Sequence, residues 1–98
     1  MVKKIIWTEN ALKDRHKIYK FWTEHNKSET YSEKLDLLIE QKIDLLASFP
    51  NIGLNTDYKE INITTVSNFS IFYKLNANSI FILRIFDSRR NPNKIKPL

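Results

Sequence analysis

Three arginines gather near the carboxyl-terminal end of this sequence, Arg84, Arg89 and Arg90, with Lys59, Tyr73 and Lys74 upstream of them. Guanidinium and ammonium groups in that number can hold a phosphate or a carboxylate. Lys59, Arg84 and Arg89 could stabilise charge on a phosphate, but cutting a phosphodiester also demands a base and an acid. The two histidines, His16 and His25, are nine residues apart and so fall on different sides of a helix. They read as helix-surface residues rather than a catalytic pair. Gly-rich phosphate loops, metal-ligand spacings and nucleophile motifs are absent. With no cysteine there is neither a disulfide nor a thiolate metal site. These residues point to binding rather than self-contained catalysis; no catalytic residue, metal or cofactor is assigned.

The charge is uneven. Residues 1–50 carry nine basic and eight acidic side chains, whereas residues 51–98 carry seven basic and three acidic. Most of the overall excess of +5 therefore sits in the second half. Such a field attracts phosphate backbones or an acidic protein.

Elements must position these cations, and the chain is short. Its 98 residues predict one domain, 1–98, ending in a basic tail at 88–98. A core of two layers fits that length; a second lobe and a deep cleft do not. Hydrophobic residues at 42% beside 28% charged indicate a folded chain rather than a disordered one. No run reaches the ~18 apolar residues of a membrane helix, and the start, MVKKIIWTEN, does not read as a signal peptide. A cytoplasmic protein with no membrane contact is the expectation.

Residues 2–7, VKKIIW, suit a short strand whose lysines guard an edge. Thr8 can cap a helix beginning at Glu9, with Ala11, Leu12, Ile18, Tyr19 and Trp22 on one face and an end near Asn26–Ser28. Arg15 falls within that stripe, its stem expected to pack while its head reaches the rim. A second helix is predicted from near Ser32 to Phe49, stopped by Pro50, with apolar positions Leu35, Leu38, Ile39, Leu45, Leu46 and Phe49. Its other side bears Glu33, Asp36, Glu40 and Asp44, expected to be a solvated face. Gly53, the one glycine, is expected to supply a positive φ in the following loop. The period then changes to two, predicting strands at 57–66, 69–75 and 79–87. This is a β-α-α-β-β-β order: an α+β fold with a two-helix hairpin packed on one face of a small, mainly antiparallel sheet.

Strict alternation sets Phe69, Ile71, Tyr73 and Leu75 against Ser70, Phe72 and Lys74. In the last strand it sets Ile80, Ile82, Arg84 and Phe86 against Phe81, Leu83 and Ile85. Helices can cover only one face, so the other should expose apolar groups around Arg84 with a basic rim, a pattern of partner-binding surfaces.

The order of elements and the stretch from Phe69 to Pro92 resemble the RelE/ParE superfamily of type II toxin–antitoxin toxins, nearer its ParE-like branch. The resemblance rests on Trp7 and Ala11 at the first helix, Pro50 and Gly53 after the second, Phe72-Tyr73-Lys74-Leu75 in the penultimate strand, and Ile82-Leu83-Arg84-Ile85 leading to Arg89-Arg90. It spans nearly the whole chain. It implies a growth-inhibiting toxin associated with plasmid stabilisation and neutralised, in a hetero-oligomer, by a cognate acidic antitoxin. Lys59, Tyr73, Lys74, Arg84, Phe86, Arg89 and Arg90 become the candidates for binding antitoxin or target.

Two activities divide that superfamily. RelE-like members are ribosome-dependent mRNA endonucleases; ParE-like members share the fold and act on DNA gyrase. Where the nuclease branch usually has an arginine three positions before Tyr73, this chain has Ser70, and no tyrosine follows Tyr73. The resemblance therefore implies DNA gyrase as the target. The alternatives are an mRNA endonuclease with a reduced catalytic set acting on the ribosome, or an inactive relative that keeps only antitoxin binding.

Overall fold

The computed structural model describes residues 2–89. Strand β1 (Lys4–Trp7) is followed by helices α1 (Glu9–Asn26) and α2 (Thr30–Ser48) and strands β2 (Leu54–Asn55), β3 (Ile61–Val66), β4 (Phe69–Leu75) and β5 (Ser79–Asp87). They make an α+β fold: a helical hairpin against one five-stranded sheet in the order β1-β5-β4-β3-β2. All pairs are antiparallel except β1 with β5. The parallel pair follows from the hairpin, which carries the chain across the sheet before the meander returns it.

Local chemistry explains the boundaries. Thr8 caps α1 by accepting from the Ala11 amide at 3.2 Å, and Lys27 closes it in a left-handed conformation at φ 53°. Helix α2 starts two residues earlier than its sequence suggests, because the Ser28 hydroxyl takes the Thr30 amide. Ser32, expected at the start, lies inside, where it donates to the Tyr19 carbonyl and accepts from the Thr23 hydroxyl, both at 2.8 Å. The expected strand at 57–66 begins only at Ile61, since residues 57–60 form a turn with Glu60 at φ 65°. The two-residue strand β2 had no alternating run to announce it.

The core lies between hairpin and sheet, built from Ala11, Ile18, Leu35, Ile39, Ile43 and Leu46 against Phe69, Ile71, Tyr73, Ile80, Ile82 and Ile85. Leu12, Leu45 and Phe49, expected on the buried stripes, are exposed instead, and Ile43 takes a core place. Gly53 does not have a positive φ. Its role is close approach: a Cβ there would run into the Tyr73 hydroxyl and stand 2.7 Å from the Ile63 carbonyl oxygen.

Alternation along β5 is broken once. Phe72 pairs with Arg84 but Tyr73 pairs with Ile82, which leaves Leu83 as the extra residue of a bulge. Past it the phase flips. Ile80, Ile82, Ile85 and Asp87 are buried, while Arg84 and Phe86 share the open face with Phe72 and Phe81. This corrects the strict alternation, which put Ile85 opposite Ile82.

Candidate functional site

Strand β1 ends at Trp7, so the outer edge of β5 beyond Ile82 has no strand neighbour. Helix α1 takes that place with side chains. Thr8 donates its amide (3.2 Å) and its hydroxyl (2.7 Å) to the Ile82 carbonyl. Asp14, six residues later, accepts the Ile85 amide at 3.0 Å. Trp22 donates its indole N–H to Asp87 at 2.9 Å. An edge that would otherwise present unpaired amides is closed by a helix.

Asp14 also receives both arms of the Arg84 fork, Nε at 2.7 Å and Nη2 at 3.0 Å. Its side chain is 10% exposed and that of Arg84 26%. Hydrogen bonding to Asp14 raises the guanidinium pKa above its ordinary value, so the arginine stays charged. The guanidinium carbon also lies 4.7 Å from the centre of the Phe86 ring, which meets Phe72 edge-on at 5.8 Å. Arg84 is therefore a neutralised, stacked cation on the open face. Sequence reading missed Asp14, although the signal was present: it stands three residues after Ala11 and four before Ile18, on the buried stripe.

Arg89 is held in the same way. It reaches Asp87 with Nε at 3.1 Å and Nη2 at 3.3 Å, and the Tyr31 hydroxyl with Nη1 at 2.8 Å. Its guanidinium stands 4.4 Å from the Trp22 ring centre and 5.4 Å from that of Phe69. Lys74 is exposed on the open face, 3.4 Å from Glu60. Lys59 is exposed and has no ion-pair partner among the described residues.

Tyr73 is elsewhere altogether. It is 1% exposed and faces the helices, its hydroxyl donating to the Pro50 carbonyl and accepting from the Gly53 amide, each at 3.1 Å. It fastens the loop after α2 and presents no atom on the open face. Burial raises its phenol pKa above the ordinary value. Arg90 lies outside the described residues, as does all of the tail past Arg89. Ser88, expected to begin that tail, is fixed by its amide and hydroxyl on the Asn68 carbonyl, at 2.9 and 2.7 Å.

The open face is less exposed than alternation suggested, because Phe72 and Ile61 are buried and Phe81, Leu83 and Phe86 are half-buried. A shallow depression of about 420 Å³ at its end is lined by Thr8, Lys74, Leu75, Asn76, Phe81 and Leu83. Exposed apolar side chains also gather at Leu37 and Leu45 of α2 and at Phe49, Ile52 and Leu54 beyond it. The acidic side of α2 is also not simply solvated. Asp36 and Glu40 take the Arg15 guanidinium, which lies 5.0 Å from the Trp7 ring centre, and tie the helices together.

His16 is exposed on α1, and His25 stacks on Phe21 at 5.8 Å and meets Trp22 edge-on. Neither reaches the open face. No group of three His, Cys, Asp or Glu that could hold a metal ion occurs among the described residues. No described helix is long and apolar enough to cross a membrane.

The family model for the ParE toxin of the parDE type II toxin–antitoxin system matches residues 5–92. No curated protein sequence matches the chain. Among solved structures it is similar to a chain titled chromosomal ParDE TA system from P. aeruginosa, with a TM-score of 0.77 at 20% identity, covering 88% of this chain and 96% of that one. It is also similar to a chain of the RelBE2 toxin–antitoxin complex from Mycobacterium tuberculosis, with a TM-score of 0.67 at 15% identity, covering 89% and 99%. At such identities the structural likeness is one of fold.

Proposed function

The chain belongs to the ParE toxin family of type II toxin–antitoxin systems, and from that premise we propose that it arrests growth by binding DNA gyrase in the cytoplasm and is neutralised by a cognate acidic antitoxin. One observation carries the choice of a binding toxin over a nuclease. The arginine of β5 on the open face, Arg84, is already neutralised by a bidentate carboxylate, and the Tyr73 phenol is buried behind the sheet. Among the described residues, a phosphate lying on that face would find Lys74 and the polar edge of an arginine, and one carboxylate, Glu60, which Lys74 already holds; neither a histidine nor the Tyr73 phenol joins them to complete a set of charge, base and acid. Catalysis of RNA cleavage needs all three.

Neutralisation by an acidic protein agrees with the charge of +5. Lys59 and Lys74 are exposed cations beside the sheet, and Phe86 supplies half-buried apolar area on the same face as Lys74. An antitoxin segment that orders as it binds would exploit both.

The test uses purified full-length protein with DNA gyrase. Inhibited supercoiling, or accumulated cleaved DNA, at stoichiometric toxin is the expected result, reversed by the acidic protein encoded beside it. Codon-specific mRNA cleavage on ribosomes, with gyrase untouched, would replace this reading by the endonuclease one. A protein that binds its antitoxin yet affects neither system would be the inactive relative.

A further inference from the structure

The side chains around Arg89 come from every layer of the molecule. Trp22 is on α1, Tyr31 on α2, Phe69 on β4 and Asp87 on β5. They surround one guanidinium with an indole, a phenyl ring, a phenolic oxygen and a carboxylate. Aromatic faces attract a flat, weakly hydrated cation, and a carboxylate receives its N–H fork in plane. The carboxylate is 2% exposed and also accepts the Trp22 indole N–H and the Arg89 amide. The Trp22 ring is braced in turn by edge contacts to Phe21 at 5.0 Å, His25 at 5.3 Å and Tyr31 at 5.4 Å. Three of the walls are thus fixed by contacts that do not involve Arg89: Trp22 by its aromatic neighbours, Phe69 by the core, and Asp87 by the indole.

We propose that Trp22, Tyr31, Phe69 and Asp87 form an alkylguanidinium-binding cage, filled in cis by Arg89, which latches the end of β5 to the helical hairpin. The latch sets where the chain leaves the sheet. Ser88 is pinned on one side to the β3–β4 turn through Asn68, and Arg89 on the other to α1 and α2. Arg89 is then a positioning residue, and its charge is spent inside the molecule. The site takes the arginine head group in particular: a lysine ammonium could satisfy Asp87 but could not stack on Trp22 or fork between Asp87 and Tyr31.

Chemical rescue tests the cage without reference to any target. Full-length protein with Arg89→Ala, in a Trp7→Phe background so that Trp22 is the remaining tryptophan, is titrated with N-methylguanidinium and followed by fluorescence. A saturable change at millimolar concentration is expected, with methylammonium weaker by about tenfold. Arg89-containing protein should not respond, because its cage is full, and adding Asp87→Asn should abolish the response. Equal binding of the two cations, or an equal response from Arg89-containing protein, would overturn the proposal. The unaltered protein gives a second measurement. In its ¹⁵N spectra the Arg89 Nη protons should show slowed rotation and a ring-current shift from Trp22; a freely rotating, unshifted Arg89 would equally sink the cage.

Discussion

The Asp14 carboxylate meets both nitrogens of the Arg84 fork and the backbone amide of Ile85, the residue next to it in sequence. A helix side chain thereby closes a strand edge and neutralises the cation that the strand presents. Fold and surface charge are coupled at a single residue.

Removing that carboxylate should therefore be costly. Asp14→Ala leaves an arginine without its partner and a buried amide without an acceptor, for an expected loss of about 2–4 kcal/mol. Asp14→Asn keeps an acceptor for Ile85 and should lose less. Urea denaturation of both variants measures the difference. A cost for Asp14→Ala of under about 1 kcal/mol would make the contact an ordinary surface ion pair. Arg84→Glu would put two carboxylates together, so weakened antitoxin binding by that variant reports on the surface only if its stability is measured alongside.

Much of the fold was legible in the sequence because the periods were clean. Thr8 as a cap, the switch of period after Gly53 and the Ser67-Asn68 turn all follow from local chemistry. The Leu83 bulge was not legible, since an extra residue leaves no mark in an apolar run. One unseen residue reversed the faces of Ile85 and Arg84. The partners of the cations were hidden for a different reason. Asp14 lies 70 positions from Arg84 and Tyr31 lies 58 from Arg89, and pairings at that separation are set by tertiary structure. The cations are legible in the sequence as a set; their pairing is not.

The Ser67-Asn68 turn offers a gain in stability. Ser67 has φ 54° at the first central position of a two-residue hairpin, where glycine carries no steric penalty. Relief of that strain exceeds the extra chain entropy glycine brings to the unfolded state, for a net gain of about 0.5–1 kcal/mol in Ser67→Gly. A β-branched residue at the same place, as in Ser67→Val, should lower stability. Thermal melts of the three proteins should rank glycine, serine, valine; any other order would contradict the assigned turn geometry.

Alkali should destabilise the fold through Tyr73. Burial raises its phenol above the ordinary value of 10.0, an effect partly offset by the Gly53 amide bonded to the oxygen. A raised pKa means that stability is fully present while both states are neutral, below pH 10. Above that the unfolded chain ionises first, and stability falls until the folded protein ionises too. Tyr73→Phe will be less stable at neutral pH, because the Pro50 carbonyl and Gly53 amide lose their partner. The difference between the two proteins should then shrink as pH rises past 10. A difference that stays constant to pH 11 would show that the Tyr73 phenol is not desolvated.

The final prediction separates the folded domain from the segment beyond it. Residues 90–98, RNPNKIKPL, contain Arg90, Lys94 and Lys96 and no acidic side chain. Ser88 and Arg89 are bonded into the sheet and the cage, so a cut before them would damage the fold, whereas a cut after Arg89 spares every described contact. If the cationic segment supplies the contact with gyrase or its DNA, truncation after Arg89 should abolish growth inhibition. The shortened protein should still melt cooperatively and still bind its antitoxin. Loss of toxicity should be mirrored in vitro by supercoiling inhibition that weakens with salt in the full chain and is absent in the short one. Undiminished toxicity of the truncated protein would move target recognition back onto the folded surface, with exposed Lys59 and Lys74 the first residues to replace.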